Sequence, residues 1–352
     1  MVSQRKDKSF YSVVGVMAGS SMDGLDLAHA LFTETNNGWE YQLKNCEVIS
    51  YPSDLLDRLK RSPTQKKKNQ ELLDIDFGKW IARCVNNFKK NLPAIDILAV
   101  HGHTVIHKPS ENISWQLGDG TTIALETGIT TITEFRSFDV QNGGQGAPLV
   151  PFGDFTLFNE YDACLNLGGI ANISLKANHT AWDICPCNQV LNYFAEKLGE
   201  PYDKNGDFGK SGKFDEAFYS RISTLPFFSL SPPKSLPNNF IDLEILRAVE
   251  PKDGLYTYCQ VIAEQIQRSM SGSTGSKLLI TGGGAFNSFL INGIRSQLND
   301  WEVYVPDTKL VVFKESLVFA FLALKRMRNE INTLSSVTGA SKDTSSGVIH
   351  LP

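Results

Sequence analysis

Apolar residues along the chain fall into short runs that end in glycine-rich turns. Residues 10–17 read as a buried strand, 19–24 (Gly-Ser-Ser-Met-Asp-Gly) as a tight polar loop, and 26–32 as the returning strand of a hairpin. A third strand is expected over 39–49. Leu55, Leu56 and Leu59, then Leu72, Leu73, Phe77, Trp80, Ile81, Val85 and Phe88, recur near helical spacing and predict helix across 54–92. Residues 96–100 form a short buried strand running into His101-Gly-His-Thr104, and 130–135 form another before the glycine-rich stretch 141–148. The rhythm then repeats, with a strand at 163–167, a turn at Gly168-Gly169 and a strand at 170–175. Helices are expected at 188–198 and 256–270. A strand at 277–281 feeds Gly282-Gly-Gly-Ala285 and opens a helix at Asn287, and a last helix covers 314–329. The duplication predicts two similar α/β halves with a cleft between them.

A length of 352 residues fits two domains. With 34 Lys plus Arg against 38 Asp plus Glu, the net charge is −4, which opposes a general nucleic-acid track. A nuclease built on such halves would need that track and several carboxylates around paired metals. A pure interaction module is the remaining alternative, and it predicts no catalytic turnover. Six cysteines are too sparse for a disulfide scaffold, and the single Cys185-Pro-Cys187 lacks the second pair that a zinc site needs. No apolar run reaches membrane-spanning length. Arg5, Lys6 and Lys8 before residues 11–20 imitate a secretory leader, but a retained strand makes better sense of the loop that follows, so the expected location is cytoplasmic. Lys66, Lys67 and Lys68 read as a solvated loop or helix start.

Three glycine turns, at 18–24, 168–172 and 282–287, each follow an expected strand. Glycine lets backbone N–H groups approach an anion, and a helix start adds a favourable dipole, so together they point to nucleotide phosphates. Two standard loops are absent. Lys204 stands where a Walker loop ending in Gly209-Lys210-Ser211 needs glycine, and Gly282-Gly-Gly-Ala-Phe-Asn287 lacks the third glycine of a dinucleotide fingerprint.

The segment Gly15-Val-Met-Ala-Gly-Ser-Ser-Met-Asp-Gly-Leu-Asp26 resembles the M-S-G-T-S-x-D-G-x-D motif of the anhydro-N-acetylmuramic acid kinases. The likeness continues through His101-Gly-His-Thr-Val, Trp115-Gln-Leu-Gly-Asp119, Phe135-Arg136 to Asp139, Gly143-Gly-Gln-Gly-Ala-Pro-Leu149 and Leu165-Asn-Leu-Gly-Gly-Ile-Ala-Asn-Ile173. It extends to Pro201-Tyr-Asp203, Pro232-Pro-Lys-Ser235, Gly282-Gly-Gly-Ala285, Lys314-Glu315 and Ser336-Val-Thr-Gly-Ala340. The resemblance implies two ribonuclease-H-like (actin-like ATPase) domains around a central nucleotide and sugar cleft. The first would cover 1–145, with a segment from about 330 to 352 returning to it, and the second 146–329. It implies ATP and Mg²⁺ as cofactors, an amino-sugar substrate, and a homodimer as a candidate assembly. The implied reaction cleaves the 1,6-anhydro bond of 1,6-anhydro-N-acetylmuramic acid with water and phosphorylates O6, in the recycling of cell-wall peptidoglycan.

Carried over residue by residue, the resemblance makes Asp183 the base that activates water, with Glu315 as a partner carboxylate. As a bare residue, Asp183 also fits a helix cap after a strand. Gly19, Ser20, Ser21, Met22, Asp23, Gly24, Leu25 and Asp26 are the nucleotide-side candidates, joined by Gly168, Gly169, Gly283, Gly284 and Asn287. Asp23 or Asp26 is the candidate to hold Mg²⁺ through water. Gln116, Arg136, Asp139, Gln145 and Asn188 are candidates to read the sugar. Arg136 suits a lactyl carboxylate, and a surface ion pair with Asp139 is the alternative. His101 and His103 read as structural. Where the family has D-T-G-P-G-N, this chain has Asp183-Ile-Cys-Pro-Cys-Asn188, and the usual K-S-x-G-R-E is Lys234-Ser-Leu-Pro-Asn-Asn239. Two cysteines in place of glycines are expected to narrow the sugar pocket or bend its backbone. A shifted sugar substrate and a non-catalytic nucleotide-binding relative are therefore the alternatives to the usual reaction.

Overall fold

The computed structural model describes residues 10–19, 22, 24–231, 234–236, 240–241, 243–273 and 275–352. The chain forms two compact units, a first that ends at Phe158 and resumes over Phe313–Pro352, and a second over Asn159–Val312.

The first unit contains β1 (Phe10–Ala18), β2 (Leu25–Thr35), β3 (Gly38–Ile49), β4 (Ile97–Val100), β5 (His103–Lys108), β6 (Ile113–Leu117) and β7 (Thr131–Thr133). The second contains β8 (Ala163–Leu167), β9 (Ile170–Leu175), β10 (Thr180–Pro186), β11 (Lys277–Thr281) and β12 (Glu302–Tyr304), and β13 (Val348–His350) closes the chain in the first unit. The first sheet runs β13-β7-β4-β1-β2-β3, the second β10-β9-β8-β11-β12, and β5-β6 is a separate hairpin. In each sheet three antiparallel strands are followed by two that run parallel to the first. This is the ribonuclease-H-like order, present twice.

Burial explains the strand patterns. β1 is buried from Tyr11 to Ala18, as befits a central strand covered on both faces, whereas the edge strand β3 alternates between half-buried and exposed positions. The core of the first unit joins Val14, Val16, Leu25 and Leu27 to Phe77, Trp80 and Ile81 of the helix Lys67–Phe88. In the second, β8, β9 and β10 pack on Tyr258, Ile262 and Ile266 of the helix Pro251–Met270.

Several expectations need correction. The helical stretch 54–92 is two helices, Ser53–Arg61 and Lys67–Phe88, parted by a short 3₁₀ turn at Ser62-Pro63-Thr64, where proline cannot continue the helical bonds. The helix expected at 256–270 begins at Pro251, with the Glu250 side chain capping the Asp253 N–H. The helix expected at 314–329 is Thr308–Met327, and a single helical turn at Ser335–Thr338 follows it. Asp183 follows no strand and caps no helix: it lies within β10, beside a bulge between Asp183 and Cys185. Among the described residues no helix is long and apolar enough to cross a membrane.

Candidate functional site

In the first unit, β1 and β2 pair from Phe10↔Thr33 to Ala18↔Leu25, which leaves residues 19–24 as the connection. Met22 N–H donates to the Gly19 carbonyl at 3.2 Å, and Met22 takes φ +54°. Ser20, Ser21 and Asp23 lie outside the described residues. Leu25 is fully buried, and Asp26 is half-buried opposite Met17. Gly15 explains how close the next element comes: a Cβ there would sit 1.9 Å from the Ser316 carbonyl oxygen. Glycine thus lets the helix Thr308–Met327 press onto β1, with Glu315 one residue from the contact.

Glu315 keeps solvent-exposed surface, but enough protein surrounds its carboxyl that burial pushes it above the ordinary glutamate value, while Arg136 and Lys314 pull it down. The exposed surface governs access, and the surrounding protein governs charge. Lys314 is spent internally, on a buried ion pair with Asp154 at 2.7 Å. Arg136 Nε donates to His101 Nε2 at 2.9 Å and Nη1 donates to the Gly146 carbonyl at 2.8 Å. His101 Nδ1 in turn meets the Gly102 carbonyl at 2.8 Å, so the ring is the neutral Nδ1–H tautomer. Burial, with the Arg136 charge, holds that ring well below the usual histidine range. His101 therefore orients Arg136, a task its reading as structural did not include. Its one signal in the sequence is its place at the end of a buried strand.

The surface pair of Arg136 with Asp139 gives way to a different arrangement. Asp139 is fully buried, with Oδ2 accepting the Gly146 N–H at 2.7 Å and Oδ1 the Thr338 hydroxyl at 2.8 Å. It builds the loop at 143–146. Gln145 is exposed, and its N–H donates to the Thr338 carbonyl. Gln116 is buried; its Nε2 donates to Ser114 Oγ at 3.0 Å while Oε1 has no partner among the described residues.

In the second unit the glycine turns are packed together. Cys187 N–H and Gln189 N–H donate to the Gly169 carbonyl, and Asn188 N–H to the Gly168 carbonyl, so the start of the helix Asn188–Lys197 is committed to the turn. Asn188 Nδ2 also donates to the Leu167 carbonyl at 2.9 Å. A Cβ on Gly284 would lie 2.7 Å from Leu167 Cβ, and one on Gly282 would lie 2.5 Å from Asn166 Oδ1. Gly283 differs: a Cβ there meets only Asn188 Nδ2, at 3.4 Å. Packing therefore explains Gly282 and Gly284, whereas Gly283 leaves room for a ligand. Asn287 Oδ1 is used in capping the helix Ser288–Gln297 through the Leu290 N–H at 2.9 Å.

Asp183 is half-buried. Its N–H donates to the Lys234 carbonyl at 3.0 Å, and Oδ2 accepts the Leu236 N–H at 2.9 Å. Oδ1 takes no hydrogen bond among the described residues. Burial raises its carboxyl above the ordinary aspartate value, and the Leu236 bond opposes this. Sequence reasoning missed Leu236 because a backbone N–H carries no side-chain signature. Cys185 and Cys187 are both fully buried in the core, and burial pushes the Cys187 thiol to about 12. Their sulfurs thus fill the interior of the unit and do not narrow a solvent-facing pocket.

Among the described residues no three His, Cys, Asp or Glu side chains converge to hold a metal ion.

A model of the anhydro-N-acetylmuramic acid kinase family matches residues 11–352. The chain belongs to the anhydro-N-acetylmuramic acid kinase family. It is 34% identical to the anhydro-N-acetylmuramic acid kinase of Vibrio cholerae, over 96% of this chain and 98% of that one. It is 33% identical to that of Actinobacillus pleuropneumoniae serotype 7, with the same coverage. Anhydro-N-acetylmuramic acid kinases are phosphotransferases, and the chain is an enzyme of that class. Among solved structures it is similar to component A of (R)-2-hydroxyglutaryl-CoA dehydratase from Acidaminococcus fermentans, at 11% identity and TM-score 0.47, covering 90% of this chain and 99% of that one. It is also similar to a ROK family glucokinase from Streptomyces griseus in complex with glucose and AMPPNP, at 13% identity and TM-score 0.45, covering 89% and 99%.

Proposed function

We propose that the chain adds water across the 1,6-anhydro bond of 1,6-anhydro-N-acetylmuramic acid and transfers the γ-phosphoryl group of ATP to O6, giving N-acetylmuramic acid 6-phosphate and ADP. The observation that carries this reading is Asp183. It is a half-buried aspartate with one oxygen anchored on a backbone N–H, the other without a hydrogen bond among the described residues, and a carboxyl that burial makes more basic than usual. A base of that kind is held in one orientation and keeps affinity for a proton.

In this reading Asp183 accepts a proton from the water that attacks the anomeric carbon. As the C1–O6 bond breaks, O6 becomes the nucleophile for the γ-phosphorus. Glu315 is the second carboxylate, orienting water or substrate. Arg136, held by His101 and the Gly146 carbonyl, offers its remaining guanidinium donors to the lactyl carboxylate in a geometry set before binding. Gln116 Oε1 is a further acceptor for a substrate N–H or hydroxyl. The loop at 19–24 and the turn at Gly283 serve the phosphates through backbone N–H groups. Mg²⁺, carried on the triphosphate with Asp23 or Asp26 touching it through water, would neutralise phosphate charge. The inward-facing Cys185 and Cys187 favour the usual sugar over a shifted one, since neither takes space from a ligand. We place the enzyme in the cytoplasm, where ATP is available.

The test is ATP consumption by the purified chain with Mg²⁺ and 1,6-anhydro-N-acetylmuramic acid, followed by phosphorus NMR of the product. Sugar-dependent ADP formation with a 6-phosphate resonance is expected. ATP binding without sugar-dependent turnover would overturn the reading.

A further inference from the structure

The second unit contains a cavity of about 520 Å³ that the proposed reaction does not use. Its wall is made by Leu175, Trp182, Phe228, Lys234, Gln265 and Arg268, among others. The strand register locates it. The β8–β9 turn at Gly168-Gly169 lies at one end of the sheet, where Leu167 pairs with Ala171, whereas the wall residues Leu175 and Thr180 pair with each other at the other end. The cavity is thus at the end of this sheet opposite its glycine turn.

Two polar groups in the wall are unsatisfied. The indole N–H of Trp182 and the side-chain amide nitrogen of Gln265 are buried and have no hydrogen-bond partner among the described residues. Both are donors, and an unmet buried donor is unfavourable. Two cations accompany them. Lys234 Nζ donates to the Phe227 carbonyl at 3.1 Å and lies 4.6 Å from the Phe227 ring centroid. Arg268 pairs with Glu264. Asp162, also in the wall, spends Oδ2 on the Ser276 and Lys277 N–H groups. The wall residues therefore combine apolar surface with two cations and two buried donors unmet among the described residues, and the volume is within the range of small-molecule sites.

We infer that this cavity binds a small organic anion, with a carboxylate or amide oxygen as acceptor and an apolar body against Trp182, Leu175 and Phe228, and that its occupancy is felt at Asp183. The link is covalent and short. Trp182 precedes Asp183 in β10, and the segment from Lys234 to Leu236 supplies a carbonyl to the Asp183 N–H and an N–H to its carboxylate. A ligand that engages Lys234 and Trp182 pulls on both sides of the same aspartate.

The test uses hippurate, which joins a phenyl ring, an amide and a carboxylate, titrated into the full chain without ATP or sugar. Saturable binding is expected, with the Leu236 amide resonance shifting at the same midpoint. Gln265→Leu and Lys234→Met are each expected to weaken binding about fivefold or more. Gln265→Leu is also expected to leave the melting temperature unchanged or raised, because it removes an unsatisfied donor. No saturable binding, or equal binding by all three proteins, would overturn the site. A sharp fall in the melting temperature of Gln265→Leu would do the same, by showing that the amide is satisfied within the protein. Binding with an unmoved Leu236 resonance would overturn the link to Asp183. None of these readouts depends on turnover, so they stand apart from the assay of the kinase reaction.

Discussion

Asp183 illustrates what a sequence can carry at the scale of one residue. Its place in a family motif marked it, but the features that would make it a base, the Leu236 N–H and the burial around its carboxyl, arise from a segment more than fifty positions away. Asp183→Asn keeps the acceptor for that N–H and removes the basicity. The expected outcome is an intact fold, retained ATP binding, and turnover lowered about 10²- to 10⁴-fold; near-normal turnover would refute the assignment. The pH profile gives an independent check. A base with a raised carboxyl is active above its pKa and is lost as pH falls through it, so the acid limb of kcat/KM belongs above the ordinary aspartate range of about 4. Cys185 teaches the converse. Its motif position suggested a narrowed pocket, but the bulge between Asp183 and Cys185 breaks the alternation of β10, and Cys185 lies in the core. Cys185→Ala should therefore cost about 1–2 kcal/mol in urea unfolding and leave the sugar KM within about twofold.

Elements were legible where their pattern was pure. β1, β4, β8 and β11 are short apolar runs ending at glycine or histidine turns, and they appear close to where the pattern puts them. β10 was not legible as a strand. It is an edge strand of its sheet, paired with β9, its burial is broken at Asp183, and it ends in Pro186, a residue that an edge tolerates. The glycine turns were legible as turns, but their division of labour was not, because it depends on what lies within a Cβ of each. Gly284→Ala drives a methyl to 2.7 Å from Leu167 Cβ and should destabilise by about 1–3 kcal/mol. Gly283→Ala meets no such contact, so its fold should hold while the KM for ATP rises. Thermal melts and ATP kinetics on the pair separate the two. If Gly283→Ala melts low and binds ATP normally, the turn is structural alone.

The stability of the whole molecule depends on charges that the linear pattern disguises. Asp74 follows Leu72 and Leu73 in the helix Lys67–Phe88. In the fold its Oδ1 accepts the Gly118 N–H at 2.6 Å, and burial, assisted by the charges of Asp119 and Glu134, raises it from 3.8 to about 6. Between those two values the folded chain binds more protons than the unfolded one. Stability contributed by this group is therefore fully present at low pH, declines as pH rises from about 4 to about 6, and stays lower above that. With Asp74 half-buried and screened by water, the penalty at pH 8 is about 1 kcal/mol rather than the full value of the shift. Asp74→Asn keeps an oxygen for the Gly118 N–H and removes the charge. Urea unfolding should show the variant about 1 kcal/mol more stable than the parent at pH 8, with the difference closing as pH approaches 4. A variant less stable at pH 8 would mean that the ionised carboxylate holds the Gly118 turn more strongly than its neighbours repel it.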